Sequence, residues 1–350
     1  MNTLGTTNTA AAFLRAREAI VNLDYGEVSQ NKKTVIAWAD EKVLTPLRRK
    51  WWLQGARLSA PPYIFEKEQR ASISTLMGES QSLKERALSP TAVVGEKISI
   101  TGAALSFPLP NEMGRNVAII GAPDEESNNA IGIMQSMSVS LAVQHPKGDA
   151  RFLFCDFQGK DETVVARYPL YFSLMQELGF LVEDIPRKRF QEAINELVSN
   201  SSSAESSGKI YVFAAGLDKW EFEKDAYGTP PLRDFVSAAP GGGIHFTGWW
   251  VKPSNFKAQV SGYEGSDAFN TKLFLRVDER AIQALTNPYV QWSPMKNRGL
   301  ASDEVELTDE VAFIPCAPIS VEDINAINSK KCNQEGFHDV TGTRSNRGDY

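Results

Sequence analysis

Cysteine and histidine are scarce in this chain, with three of each among 350 residues. Cys155, Cys316 and Cys332 are widely spaced and odd in number, which argues for reduced thiols in a cytoplasm rather than a disulfide framework. His145, His245 and His338 are equally scattered, and no spacing resembles a zinc site, so no metal is expected. No apolar run approaches the roughly 20 residues needed to span a bilayer, so no membrane insertion is expected. No basic segment followed by an apolar core opens the chain, so no secretory signal is expected, and the expected location is cytoplasmic. Positive charge is not in excess, with a net charge of -6 and a pI of about 5.4. Overall charge therefore gives no support for nucleic acid, although local basic patches decide that contact. What remains is an ordinary globular composition, 42% apolar and 23% charged, long enough for one large domain or two smaller ones.

Apolar runs alternate with helical spacing over much of the chain. KTVIAWA (33–39), VVGEKISI (93–100), AALSFPL (103–109), RFLFCDF (151–157), KIYVFAA (209–215), IHFTGWWV (244–251) and LFLRV (273–277) read as strands, as does 310–314. Residues 41–52 have helical spacing. Val43, Leu44, Leu47 and Trp51 share one face, Arg48, Arg49 and Lys50 lie largely off it, and Pro46 is expected in the first turn or at a kink. Segments 170–178, 187–198, 232–239 and 279–285 read as helices, 199–208 as a low-complexity loop and 297–301 as a loop. Residues 11–21 fit a short helix or a lead-in to a strand, and the polar tail from about 330 is expected to be disordered. This alternation predicts an α/β domain with a mainly parallel sheet, whose ligand crevice lies at the C-terminal ends of the strands. Gly121, Asp156, Asp218 and the region after Val251 fall at that edge.

The organising stretch is 116–129, NVAIIGAPDEESNN, which reads as a buried strand, a glycine turn and a helix start. A phosphate-binding loop has the pattern G-x-x-x-x-G-K-[ST]. Its backbone N–H groups and helix N-terminus cradle phosphates, its lysine reaches the β/γ-phosphates, and its hydroxyl holds magnesium. Here only the first glycine, Gly121, is kept. Glu126 stands at the second glycine, Ser127 at the lysine and Asn128 at the hydroxyl position. Asp124, Glu125 and Glu126 suit the positive end of a helix dipole and would repel a triphosphate. An equally open reading is a strand–turn–helix of any α/β fold.

Taken in order, several segments resemble the FtsK/SpoIIIE/HerA class of P-loop motor ATPases. PYIFEKEQRASISTLMGESQSL (62–83) resembles the linker of its multi-motor members, and VGEK (94–97) their turn before the core. Residues 116–145 resemble the Walker A strand, loop and helix, and FCDFQ (154–158) the next strand with its acid. GIHFTGWWVKPSN (243–255) resembles the sensor segment, and FLRV (274–277) and NRGL (297–300) the later strand and loop. The resemblance covers roughly residues 61–320. It implies a RecA/FtsK-like P-loop NTPase fold, a mainly parallel sheet flanked by helices, with a small N-terminal β/α extension. The implied division is 1–60 as a partial preceding unit, 61–110 as linker and lead-in strands, 111–320 as the P-loop domain and 321–350 as a tail.

Departures from the family pattern decide what the resemblance implies about function. A working motor carries acids after its third strand to hold magnesium and polarise water, whereas KIYVF is followed by Ala214 and Ala215, with Asp218 out of register. The implied protein is a pseudo-ATPase, C-terminal in a multi-motor assembly, with no catalytic residue and no cofactor. ATP and magnesium enter only if the loop works in an unusual way. Its implied partners are an active motor or other subunits of a larger complex, and double-stranded DNA, in a setting such as anti-phage defence or a secretion motor, with an oligomer as one arrangement. Arg187, Lys188, Arg189, Arg48, Arg49, Lys50 and Lys252 are the candidate contacts to DNA or a partner.

Two alternatives stay open. One is a protein-interaction scaffold using Trp51-Trp52 and Trp249-Trp250 as contact surface, and the other an NTPase completed by a neighbouring subunit. Asp156 with Asp161 and Glu162 reads more readily as solvated surface than as an acid/base pair, and Cys155 as a packed thiol.

Overall fold

The computed structural model describes residues 14, 18–22, 28–35, 41–55, 70–76, 89–99, 102–124, 128–159, 163–201, 209–224, 226–260 and 267–327. Glu125, Glu126, Ser127, Asp161, Glu162, most of the linker-like segment 62–83 and the tail beyond 327 lie outside them, as do the side chains of Trp51 and Trp52. The chain divides into two units, Met1–Pro62 and Tyr63–Tyr350. In the first, β1 (Glu18–Val21) pairs antiparallel with β2 (Lys32–Val35), and Lys33 bonds Glu18 at 2.7 Å. Residues 18–21 are therefore strand, and the described part of the run expected at 33–39 ends at Val35. Helix α1 (Glu41–Gly55) carries Pro46 in its interior, beyond the first turn. Arg48, Arg49 and Lys50 are exposed, and so is Leu47, which the helical spacing had placed on an apolar face.

In the second unit, ten strands form one sheet: β3 (Thr91–Lys97), β4 (Ala104–Pro108), β5 (Val117–Ile120), β6 (Ala150–Asp156), β7 (Val182–Asp184), β8 (Lys209–Ala215), β9 (Ile244–Trp250), β10 (Thr271–Leu275), β11 (Gly299–Asp303) and β12 (Val311–Pro315). Their order is β4-β3-β12-β11-β10-β5-β9-β8-β6-β7. The run from β10 to β7 is parallel throughout, and the run from β10 to β4 is antiparallel. The fold is thus α/β with a mainly parallel central sheet, as the alternation of apolar strands and helices predicts. Two strands differ from the sequence reading. β7 was not anticipated, and β11 occupies most of the stretch read as a loop at 297–301.

Period-two alternation divides the core between two faces. Val117, Ile119, Phe152, Phe154, Tyr211, Phe213 and Trp249 turn to the face covered by α2 (Asn129–Ala142) and α4 (Pro169–Glu177). Ala118, Ile120, Leu153, Cys155, Val212, Ala214 and Trp250 turn to the other, covered by α5 (Phe190–Ser201), α6 (Pro231–Ala238), α7 (Pro253–Val260) and α8 (Glu279–Gln283). A one-turn helix, α3 (Val164–Arg167), precedes α4. Trp249 and Trp250 are both fully buried, one on each face. They are core, so they offer none of the contact surface that the scaffold reading requires.

Every residue of α2 is buried, serines included. Two of the serines serve the bulged strand β3, whose register shifts between Val93 and Gly95. Ser140 accepts from the Val93 N–H at 2.9 Å, and Ser136 donates to the Val93 carbonyl at 2.9 Å. Small polar side chains thus satisfy backbone groups that a purely apolar helix would leave orphaned. Gly132 lets α2 approach the segment after β12, since a Cβ there would lie 2.1 Å from the Cys316 carbonyl oxygen.

At the opposite edge, where the parallel strands begin, His245 is buried between Tyr211, stacked at 5.7 Å, and the Lys209 ammonium at 3.3 Å. Its Nδ1 lies 3.2 Å from the Arg115 carbonyl oxygen, so Nδ1 carries the proton and Nε2 accepts from Lys209. Burial, and then Lys209, hold the imidazole down at about 4 against an ordinary 6.5. An unfolded chain takes up this proton first as pH falls. His245 therefore contributes stability that is complete above about pH 6.5 and lost as pH falls toward 4, on the order of 3 kcal/mol in all. Urea unfolding across that range should show this acid sensitivity, and His245→Gln should flatten it.

Candidate functional site

Parallel sheets bind ligands at the carboxyl ends of strands where neighbouring connections leave in opposite directions. Here that point lies between β5 and β10. The chain leaves β5 through α2 toward β6 on one side, and leaves β10 through α8 toward β11 on the other. Gly121 begins the turn at the end of β5 with φ of 119°, a region few L side chains adopt. Its N–H donates to the Trp250 carbonyl at 2.7 Å, and its own carbonyl accepts from Trp249 Nε1 at 3.0 Å. A Cβ on Gly121 would lie 1.8 Å from the Leu275 carbonyl oxygen of β10. The turn is therefore wedged between both flanking strands.

Asp124 follows, 4% exposed. Its Oδ2 accepts from the Asn297 backbone N–H at 2.7 Å and from Asn129 Nδ2 at 3.1 Å. Its Oδ1 lies 3.7 Å from the guanidinium of Arg276, the residue that follows β10. Its backbone carbonyl accepts from the Asn128 N–H at 3.0 Å. Among the described residues, the non-glycine positions with positive φ are Asn128 (40°), Arg276 (52°) and Asn297 (53°). All three contact Asp124. Such backbone costs about 1–3 kcal/mol per residue and persists where the surroundings over-determine it.

Asp156 ends β6 with its side chain buried. It is ion-paired to Arg167 and accepts from the Tyr168 hydroxyl at 2.9 Å and the Gln158 N–H at 2.7 Å. Burial and the neighbouring Asp156 raise the Tyr168 phenol well above its ordinary range. The solvated-surface reading of Asp156 is therefore wrong, because α3 brings Arg167 over the strand end. Burial raises the Cys155 thiol strongly in the same way, as for a packed thiol. β8 ends in Ala214 and Ala215, both fully buried, one on each face. Asp218, in the turn beyond, accepts from the Val251 N–H at 2.5 Å, the Lys252 N–H at 3.0 Å and Asn255 Nδ2 at 2.9 Å. It thus caps the N-terminus of α7, a helix the sequence reading had left as an unassigned segment.

The basic candidates come from separate elements. Arg187, Lys188 and Arg189 are exposed at the start of α5, with Arg189 paired to Glu192 at 2.9 Å, and Lys252 is exposed before α7. Arg48, Arg49 and Lys50 belong to the other unit. Sequence reasoning singled out Gly121, Asp124 and Asn128 but not Arg276 or Asn297. The rule that found Asp156, a charged residue closing a buried parallel strand, applies equally to Arg276 in LFLRV. Nothing in the sequence signals the backbone conformation of Asn297.

No protein-family model matches the chain, and a search of curated proteins finds no match. Solved structures give partial overlaps. EssC (ATPases 2 and 3) from Geobacillus thermodenitrificans overlaps at 13% identity and a TM-score of 0.46, over 81% of this chain and 52% of that one. The cytoplasmic domain of the Type VII secretion ATPase EccC of Thermomonospora curvata overlaps at 10% identity and a TM-score of 0.48, over 75% and 34%. The pCW3 conjugation coupling protein TcpA, in a monomer form with ATPγS, overlaps at 14% and 0.46, over 78% and 75%. The chain thus spans about half the length of the first and a third of the second.

Two substitutions test the site's architecture. Gly121→Ala should destabilise by on the order of 3 kcal/mol, because the Leu275 backbone has little room to give. Asp218→Ala should cost about 1–3 kcal/mol through the lost cap, and Asp218→Asn less, as both read by urea unfolding.

Proposed function

We infer that the chain is a catalytically degenerate P-loop module of the FtsK/HerA type, acting as a structural or regulatory part of a DNA-translocating or DNA-processing assembly. The observation that carries this reading is the end of β8. Where a motor presents acids to magnesium and water, two alanines are buried in the core, the next acid along the chain, Asp218, is engaged in capping α7, and the acid across from Ala215 on β6, Asp156, is ion-paired to Arg167. The loop after β5 supports the same conclusion independently. Ser127 stands in place of the lysine and Asn128 in place of the magnesium-binding hydroxyl. The module keeps a strand, a turn and a fully buried helix, which suits a rung that packs against active subunits and transmits their geometry without hydrolysis.

Contact with DNA, in this reading, runs through the exposed cations Arg187, Lys188 and Lys252. Phosphate contacts of that kind weaken steeply with salt.

The test is ATP turnover by the purified full chain with magnesium, with and without double-stranded DNA. The expected result is no turnover above buffer in either condition. DNA-stimulated turnover that Ser127→Ala abolishes would contradict the reading.

A further inference from the structure

The crevice between β5 and β10 is bridged by the protein's own charges. Asp124 comes from the β5 side and Arg276 from the end of β10, so their 3.7 Å contact spans the topological switch point itself. A third element contributes the Asn297 N–H, and α2 contributes the Asn129 amide. An amide N–H, a side-chain amide and a guanidinium converging on one carboxylate are the donor set that binds an oxyanion. Here that set is satisfied internally. The Asp124 side chain is 5% exposed, whereas the Arg276 side chain is 45% exposed.

We propose that Asp124 is a built-in anion, an autoinhibitory contact that closes the crevice to phosphate groups by occupying their donors. The inference deepens the reading of the module as degenerate and rests on it. It assigns the exclusion of phosphate to one side chain, in addition to the absent lysine. It also accounts for strained backbone at Arg276 and Asn297 being gathered beside one carboxylate, the first held by the ion pair and the second through its N–H. Removing the carboxylate leaves the Asn297 N–H and the guanidinium facing an emptied position, which an oxyanion from solvent can take.

Inorganic pyrophosphate, which carries no base or sugar, is the probe, titrated calorimetrically into the full chain at constant ionic strength. Wild type is expected to show no saturable binding. Asp124→Ala is expected to gain it, at least ten-fold tighter than any wild-type signal, Asp124→Asn, whose amide still fills the position, is expected to gain less, and adding Arg276→Ala should abolish the gain. Equal behaviour of wild type and both Asp124 variants overturns the proposal, as does a gain that survives loss of Arg276. Should the Asp124 variants not fold, hydrogen exchange on wild type decides. The Asn297 amide should be protected to the level of the β5 amides, and Arg276→Ala should speed its exchange at least ten-fold with β5 unchanged. A fast-exchanging Asn297 amide in wild type overturns the proposal. Wild-type ATP turnover would instead overturn the functional reading, so the two failures are distinguishable.

Discussion

The contact on which the rest of this structure depends is the seating of Gly121 between two strands. One neighbour takes its N–H through the Trp250 carbonyl, and the other leaves no room for a side chain beside Leu275. Because Trp249 and Trp250 turn to opposite faces, the same two residues fill both halves of the core and hold the turn. The turn's position then fixes Asp124, and Asp124 gathers the end of β10, the start of α2 and the loop before β11. Core packing and the chemistry of the crevice are therefore one problem in this fold. A change that loosens the turn would be felt in both.

Three acids along the C-terminal edge are each engaged by the protein's own donors. Asp156 is held by Arg167 and Tyr168, Asp218 by the start of α7, and Asp124 by donors from three elements. Each carboxylate has an architectural task, with its oxygens turned to protein donors. Buried carboxylates are stable only when paired and hydrogen-bonded, and Asp124 and Asp156 are both. The acids at the edge thus contribute to stability and geometry.

Much of this was legible in the sequence, and the exceptions have physical causes. KIYVFAA is a strand over the residues expected, because a continuous apolar run bounded by polar segments has one stable use in a buried parallel sheet. β7 escaped because it is three residues, two of them acidic, so no period can emerge. β11, GLASD, lacks β-branched and aromatic residues, and its pairing to β10 and β12 makes it a strand. Asp218 reads as a displaced acid in sequence because its partners lie 33 to 37 positions away. The candidate site was legible in its first half, Gly121 to Asn129. Its second half, Arg276 and Asn297, is joined to it only by topology and left-handed backbone.

The most direct measurement is equilibrium binding of ATPγS with magnesium to the full-length wild-type chain, followed by calorimetry. The account predicts no saturable heat, because the cradle's donors are occupied by Asp124 and the lysine is absent. Stoichiometric binding in the micromolar range would contradict it.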